Sequence, residues 1–139
     1  MLLKPSVCID AVLEKLPLQR ALELVSQSGY PAIEFWKWWE KDLDAILLAC
    51  DQLDLSVAAC CTKFVSLVDP AARQQYLEGL RQSVAAAQLL NCPVLISQVG
   101  DFRTGVSRSE QHDSLVAGLR AALPILENSG VTLAFEPLN

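Results

Sequence analysis

Short apolar runs rich in β-branched residues and cysteine alternate with longer amphipathic runs along the 139-residue chain, and this alternation limits the folds open to it. The short runs are Ser6–Asp10, Ala32–Phe35, Ser56–Cys60, Val94–Gln98 and Val131–Glu136. Most lack the strict apolar–polar alternation of a half-exposed strand, as parallel strands covered on both faces do. Their starts lie about 24 to 38 residues apart, which leaves room for a helix in each interval. A strand–helix–strand crossover is right-handed in nearly all proteins, so this order predicts a parallel sheet with helices outside it.

The intervals carry helix signals of their own. Leu18, Ala21, Leu22 and Val25 recur at helical spacing, and Gly29 follows where a C-terminal cap belongs. Asp42 is placed to cap a second helix with the apolar face Leu43, Ile46, Leu47 and Cys50. Asp69-Pro70 combines a capping residue with proline at the first helical position, ahead of the stripe Tyr76, Leu80, Val84 and Ala87. Ser107 and Glu110 have capping-box spacing before Leu115, Leu119, Ala122 and Leu126. Pro124 falls inside that last helix, and Ser129-Gly130 ends it.

Two α/β architectures satisfy this order: a doubly wound open sheet, or part of an eight-stranded barrel. No G-x-G-x-x-G follows the first strand and no G-x-x-x-x-G-K-[ST] occurs, which removes the main support for a nucleotide-binding open sheet. Periodicity alone does not separate the two further.

Composition excludes several function classes. At 52% hydrophobic residues the chain has the material for a core and is not a disordered segment. A net charge of −5 speaks against nucleic acid or an anionic membrane as partner. No apolar run approaches the roughly 18 residues of a membrane span, and Met-Leu-Leu-Lys-Pro lacks the pattern of a secretory leader. The five cysteines are an odd number, Cys60 and Cys61 are adjacent, and no Cys-x-x-Cys occurs, which suits reduced thiols in a cytoplasmic protein. With one histidine, a thiolate–imidazole zinc site is not expected.

The segment Gly130-Val-Thr-Leu-Ala-Phe-Glu-Pro-Leu-Asn139 resembles the fifth strand of xylose-isomerase-like sugar isomerases and epimerases, with Glu-Pro-Leu-Asn as its most recognisable part. Three further stretches are similar in the same order. Gly29-Tyr-Pro-Ala-Ile-Glu-Phe-Trp36 resembles the family's second strand, Leu53-Asp-Leu-Ser-Val57 the turn into the third, and Leu90-Asn-Cys-Pro-Val-Leu-Ile96 the run into the fourth. Within that superfamily the chain looks most like hydroxypyruvate isomerase. The resemblance implies a partial (β/α)8 TIM barrel, about its first five parallel strands and four helices, with residues 1–139 forming the N-terminal part of one barrel domain. It further implies that the second catalytic glutamate and most metal ligands lie beyond Asn139. At the end of the fourth strand, Gln98-Val-Gly-Asp101 stands where many relatives place a histidine.

Moving a carbonyl between adjacent carbons requires a group that takes a proton from the neighbouring carbon, and a carboxylate at the strand ends is suited to it. The enediolate that develops needs positive charge on its oxygens, which a divalent cation supplies. Glu136 ends the fifth run, with Pro137 holding it extended. By resemblance Glu136 is both a proton-transfer carboxylate and a metal ligand; otherwise it is a solvated glutamate. Glu34 near the second strand end is a candidate for substrate hydroxyls or for a structural ion pair. Gln98 is a candidate for a substrate oxygen or for loop backbone. Trp36, followed by Trp38 and Trp39, either walls the pocket or packs a loop. Cys61 or Cys60 should face the barrel interior, without a base to make it a nucleophile. His112, among Glu110, Gln111 and Asp113, reads as part of a solvated face.

The function expected from these residues is an intramolecular oxidoreductase of the hydroxypyruvate/tartronate semialdehyde type, with Mg²⁺ or Mn²⁺ as cofactor. The alternatives are a sugar or keto-sugar 3-epimerase of the same superfamily, or a non-catalytic half-barrel. The expected partners are a small-molecule substrate and either a second copy or the C-terminal half of the barrel, because five strands leave two open edges. In that arrangement Ile33, Ala58 and Leu95 are expected to face the barrel interior.

Overall fold

The structure, a computed structural model, describes residues 4–136. Pro137, Leu138 and Asn139 of the Glu-Pro-Leu-Asn motif lie outside them. Five strands are present: β1 (Ser6–Cys8), β2 (Ala32–Phe35), β3 (Ser56–Cys61), β4 (Val94–Gln98) and β5 (Thr132–Glu136). The helices among the described residues are α1 (Ile9–Val12), α2 (Leu18–Gln27), α3 (Leu43–Leu53), α4 (Arg73–Leu89) and α5 (Arg108–Leu126).

The strands pair in the order β1-β2-β3-β4-β5, every pair parallel. This order decides between the two architectures. A doubly wound sheet reverses its strand order at a switch point, whereas a barrel adds each strand beside the last. Here the order never reverses, so the fold is the first part of a (β/α)8 barrel.

Capping fixes where the helices begin. The Asp42 carboxylate accepts from the Ala45 N–H at 3.0 Å. Ser107 and Glu110 form the reciprocal box, with Glu110 N–H to Ser107 Oγ at 3.2 Å and Ser107 N–H to Glu110 Oε2 at 3.0 Å. Asp69 caps through the Ala71 N–H, and a 3₁₀ turn, Pro70–Ala72, leads into α4. Pro124 sits in the last turn of α5, where the missing donor removes one of the helix's final bonds.

Two expectations require correction. The first strand ends at Cys8, because Ile9–Val12 coil into a helical turn, so Asp10 leaves the strand and a fifth helix is present. Ile33 and Leu95, at 0% exposure, pack against the helices and not toward the barrel interior. They form the sheet's covered face with Phe35 and Cys60, and Leu22 of α2, Ile46 of α3 and Leu80 of α4 lie in the same core cluster. Burial of each such side chain contributes about 1.5–3 kcal/mol. Continuous apolar runs hid this difference, because a helix-facing and an interior-facing residue look alike when both are apolar.

In-register neighbours share a face. The interior face therefore carries Cys8 beside Glu34, Cys61 beside Ile96, and Gln98 beside Glu136. Between Ile33 and Glu34 the register shifts, so Ala58 is an extra residue on β3 and belongs to neither alternation. Without that bulge Cys61 would turn toward the helices and Cys60 inward.

Candidate functional site at the strand ends

Glu34, Trp36, Cys61, Gln98 and Glu136 lie at or just past the C-terminal ends of strands, which is the catalytic face in barrels of this kind. Glu34 stands on β2, and its carboxylate accepts a hydrogen bond from the Ser6 hydroxyl on β1. Glu136 ends β5, exposed and in register with Gln98 of β4. Glu34, Gln98 and Glu136 thus share one face, with β3 between the first and the other two.

Cys61 shows how the acidic groups converge. Burial raises its thiol to a pKa of about 12, and the charges of Glu136, Asp10 and Glu34 and the Cys8 sulfur add to the shift. It therefore stays protonated at neutral pH and is a poor nucleophile. Cys60 points the other way, where its hydrogen bond to Cys92, together with burial, also pushes its thiol up.

The three tryptophans divide. Trp38 and Trp39 are packing residues. Trp38 donates its indole N–H to Ser83 Oγ at 3.3 Å, meets Trp39 edge-on at 5.7 Å and lies under the Lys63 ammonium. Trp39 meets Phe64 edge-on at 5.3 Å. Trp36 is 44% exposed and lines a cleft of about 480 Å³ between the loops that follow β1 and β2. His112 is 70% exposed with Asp113 nearby, a solvated face as read from the sequence.

Sequence reasoning missed Asp10 and Lys41. The Asp10 carboxylate accepts from the Trp36 backbone N–H at 2.8 Å through one oxygen and from Lys41 Nζ at 2.7 Å through the other. Assigning Asp10 to the strand concealed it; an acid directly after a strand end was the available signal. A second missed group is a chain of buried hydroxyls at the ends of β3 and β4. Tyr76 OH lies 3.0 Å from Ser97 Oγ, and Thr62 Oγ1 donates to Ser97 Oγ at 3.2 Å. Below the loop after β4, Gly100 has φ +100°, and a Cβ there would stand 2.3 Å from Ser66 Oγ. Only glycine lets this loop pack on the one after β3.

Five parallel strands in sequential order already describe a barrel's first part. The sequence model of the xylose isomerase-like TIM barrel family matches residues 22–139. The chain belongs to that family. Among solved structures, an AP endonuclease, family 2, from Brucella melitensis superposes with a TM-score of 0.88 at 18% identity over 99% of this chain and 56% of its own. A 3-keto-D-glucoside 4-epimerase, YcjR, from E. coli gives 0.82 at 15% identity over 99% and 57%. An IolI protein with a bound zinc atom gives 0.80 at 19% identity over 98% and 52%. At these identities the likeness is one of fold. The chain spans about half the length of these relatives. No curated protein matches the sequence.

The family likeness raises the question of a cation. Among the described residues no three His, Cys, Asp or Glu side chains gather closely enough to hold one. The carboxylates present do not make a cation site by themselves. None of the described helices is long and apolar enough to cross a membrane.

Proposed function

We propose that this chain supplies part of the active face of an isomerase that moves a carbonyl between adjacent carbons of a small hydroxy-carbonyl compound. The observation that carries the reading is the sharing of one strand-end face by Glu34, Gln98 and Glu136. Hydroxypyruvate and tartronate semialdehyde are the proposed substrate pair. Glu136 takes the proton from the hydroxymethyl carbon, and the C–H electron pair forms the carbon–carbon double bond of the enediolate as the carbonyl oxygen gains charge. Return of a proton to the former carbonyl carbon, with the hydroxyl proton of the hydroxymethyl group passing to the former carbonyl oxygen, completes the exchange. Gln98 donates to a substrate oxygen, Glu34 accepts from a substrate hydroxyl, and Trp36 limits water at one side of the pocket.

Turnover of hydroxypyruvate in D₂O by the full-length natural protein tests this. Deuterium should appear at the carbon that receives the proton. Absence of both conversion and exchange would overturn the reading. A second reading, a keto-sugar 3-epimerase of the same superfamily, uses the same proton chemistry. Keto sugars tested in the same D₂O assay separate the two. An activity on DNA has the carboxylates Glu34 and Glu136 on the interior face and the net charge of −5 against it.

A divalent cation, Mg²⁺ or Mn²⁺, belongs to this reading as a source of positive charge for the enediolate oxygens, with Glu136 as one of its carboxylates. A hard cation takes about six oxygen ligands. Residues 1–139 alone should therefore bind Mg²⁺ or Mn²⁺ no tighter than the millimolar range. Calorimetry that finds micromolar affinity on that polypeptide would contradict this.

A further inference from the structure

The cleft beside Trp36 is built from two adjacent loops of the strand-end face. Ile9 and Asp10 follow β1, Trp36, Lys37 and Lys41 follow β2, and Leu13 lines it from the first loop. What joins the loops is one carboxylate. Asp10 holds the start of the second loop through the Trp36 N–H and its end through the Lys41 ammonium, at 2.8 and 2.7 Å. Both side chains of the ion pair are largely buried, 17% exposed for Asp10 and 20% for Lys41, so the pair is screened less than a surface pair. Lys41 also lies 5.7 Å from the centre of the Phe35 ring, which fixes its stem over the end of β2. Trp36, by contrast, is exposed and lines the cleft.

We propose that Asp10 is a positioning residue: by holding both ends of the loop from Trp36 to Lys41, it sets the Trp36 indole as the wall of a subsite for the hydroxylated part of the substrate remote from the reacting carbons. This rests on the isomerase or epimerase reading above. The aliphatic side chains of Ile9 and Leu13 and the indole suit the C–H face of such a carbon chain, and the charged rim suits its hydroxyls. Misplacing a binding wall raises KM more than it lowers kcat when the contact is made equally in ground and transition states.

The test uses the full-length protein labelled with 5-fluorotryptophan, in which Trp36→Phe assigns the Trp36 fluorine signal. Asp10→Ala should shift or broaden the Trp36 signal, leave those of Trp38 and Trp39 in place, and raise KM about tenfold while kcat falls by less than threefold. Asp10→Asn, which keeps an acceptor for the Trp36 N–H, and Lys41→Met should give smaller rises in KM; they carry the test if Asp10→Ala does not fold. An unmoved Trp36 signal, or loss of kcat at constant KM, would overturn the proposal. Absence of turnover on both hydroxypyruvate and keto sugars would overturn the parent reading instead, and the fluorine signals would still decide whether Asp10 holds the loop.

Discussion

Glu136→Gln in the full-length enzyme is expected to lower turnover by at least about 100-fold, the lower end of what a lost general acid–base group costs. Glutamine keeps the size and the hydrogen-bonding reach of the side chain but cannot accept a proton from carbon. The substitution should leave folding untouched, because Glu136 is exposed at the end of β5 and its side chain makes no hydrogen bond among the described residues. Loss of activity would therefore report chemistry and not stability. The D₂O assay adds a second reading: deuterium incorporation should fall together with turnover, since both need the same proton transfer. Activity within a few-fold of the natural enzyme would remove Glu136 from the mechanism. Glu34→Gln is a different case. The Glu34 carboxylate is already engaged by Ser6, so its loss should weaken substrate binding more than it slows the proton step.

The sequence made the strands and helices legible because parallel α/β folds repeat one unit, and each unit carries its own caps. Asp42, Ser107 and Glu110 did in the structure what their spacing implied. Periodicity left the barrel and the open sheet equal; strand order settled it, and strand order depends on contacts that no local window contains. The site was legible in part for the same reason. The placement of Glu34, Gln98 and Glu136 at strand ends was legible because strand ends are predictable, and the alternation along β4 and β5 puts two of them side by side. Asp10 escaped because the end of β1 came two residues earlier than its apolar run suggested. Which side of the sheet Ile33 and Leu95 take was not legible at all. The bulge at Ala58, which resets the alternation in β3, has no mark in Ser-Val-Ala-Ala-Cys-Cys.

A polypeptide limited to residues 1–139 is expected not to persist as an isolated, active monomer. Among the described residues β1 and β5 are both edge strands, each paired on one side only. A barrel escapes this by closing, and five strands do not close. The interior face adds to the problem. Ile96 and Ala134 are only partly covered on it, as is Val94 below them, while the helices already cover Ile33 and Leu95 completely. The exposed interior is thus less apolar than the helix-facing layer, but it also sets Glu34 and Glu136 on a face where a partner must meet them. Around β1, Val12 at 66% exposure and Tyr30 at 41% extend the uncovered apolar surface to the outside of the sheet. A domain stable by roughly 5–15 kcal/mol has little margin for two unpaired edges and two uncovered patches. The polypeptide should therefore pair with a second copy, combine with a chain that supplies the other barrel strands, or aggregate. Adding the C-terminal half of the barrel in trans should raise the cooperativity of unfolding and restore turnover, because the second proton-transfer group is expected there. Light scattering that finds a stable 15.2 kDa monomer with cooperative unfolding would refute the expectation. Turnover by that monomer would refute it more sharply, since Glu136 would then be carrying out both proton transfers alone.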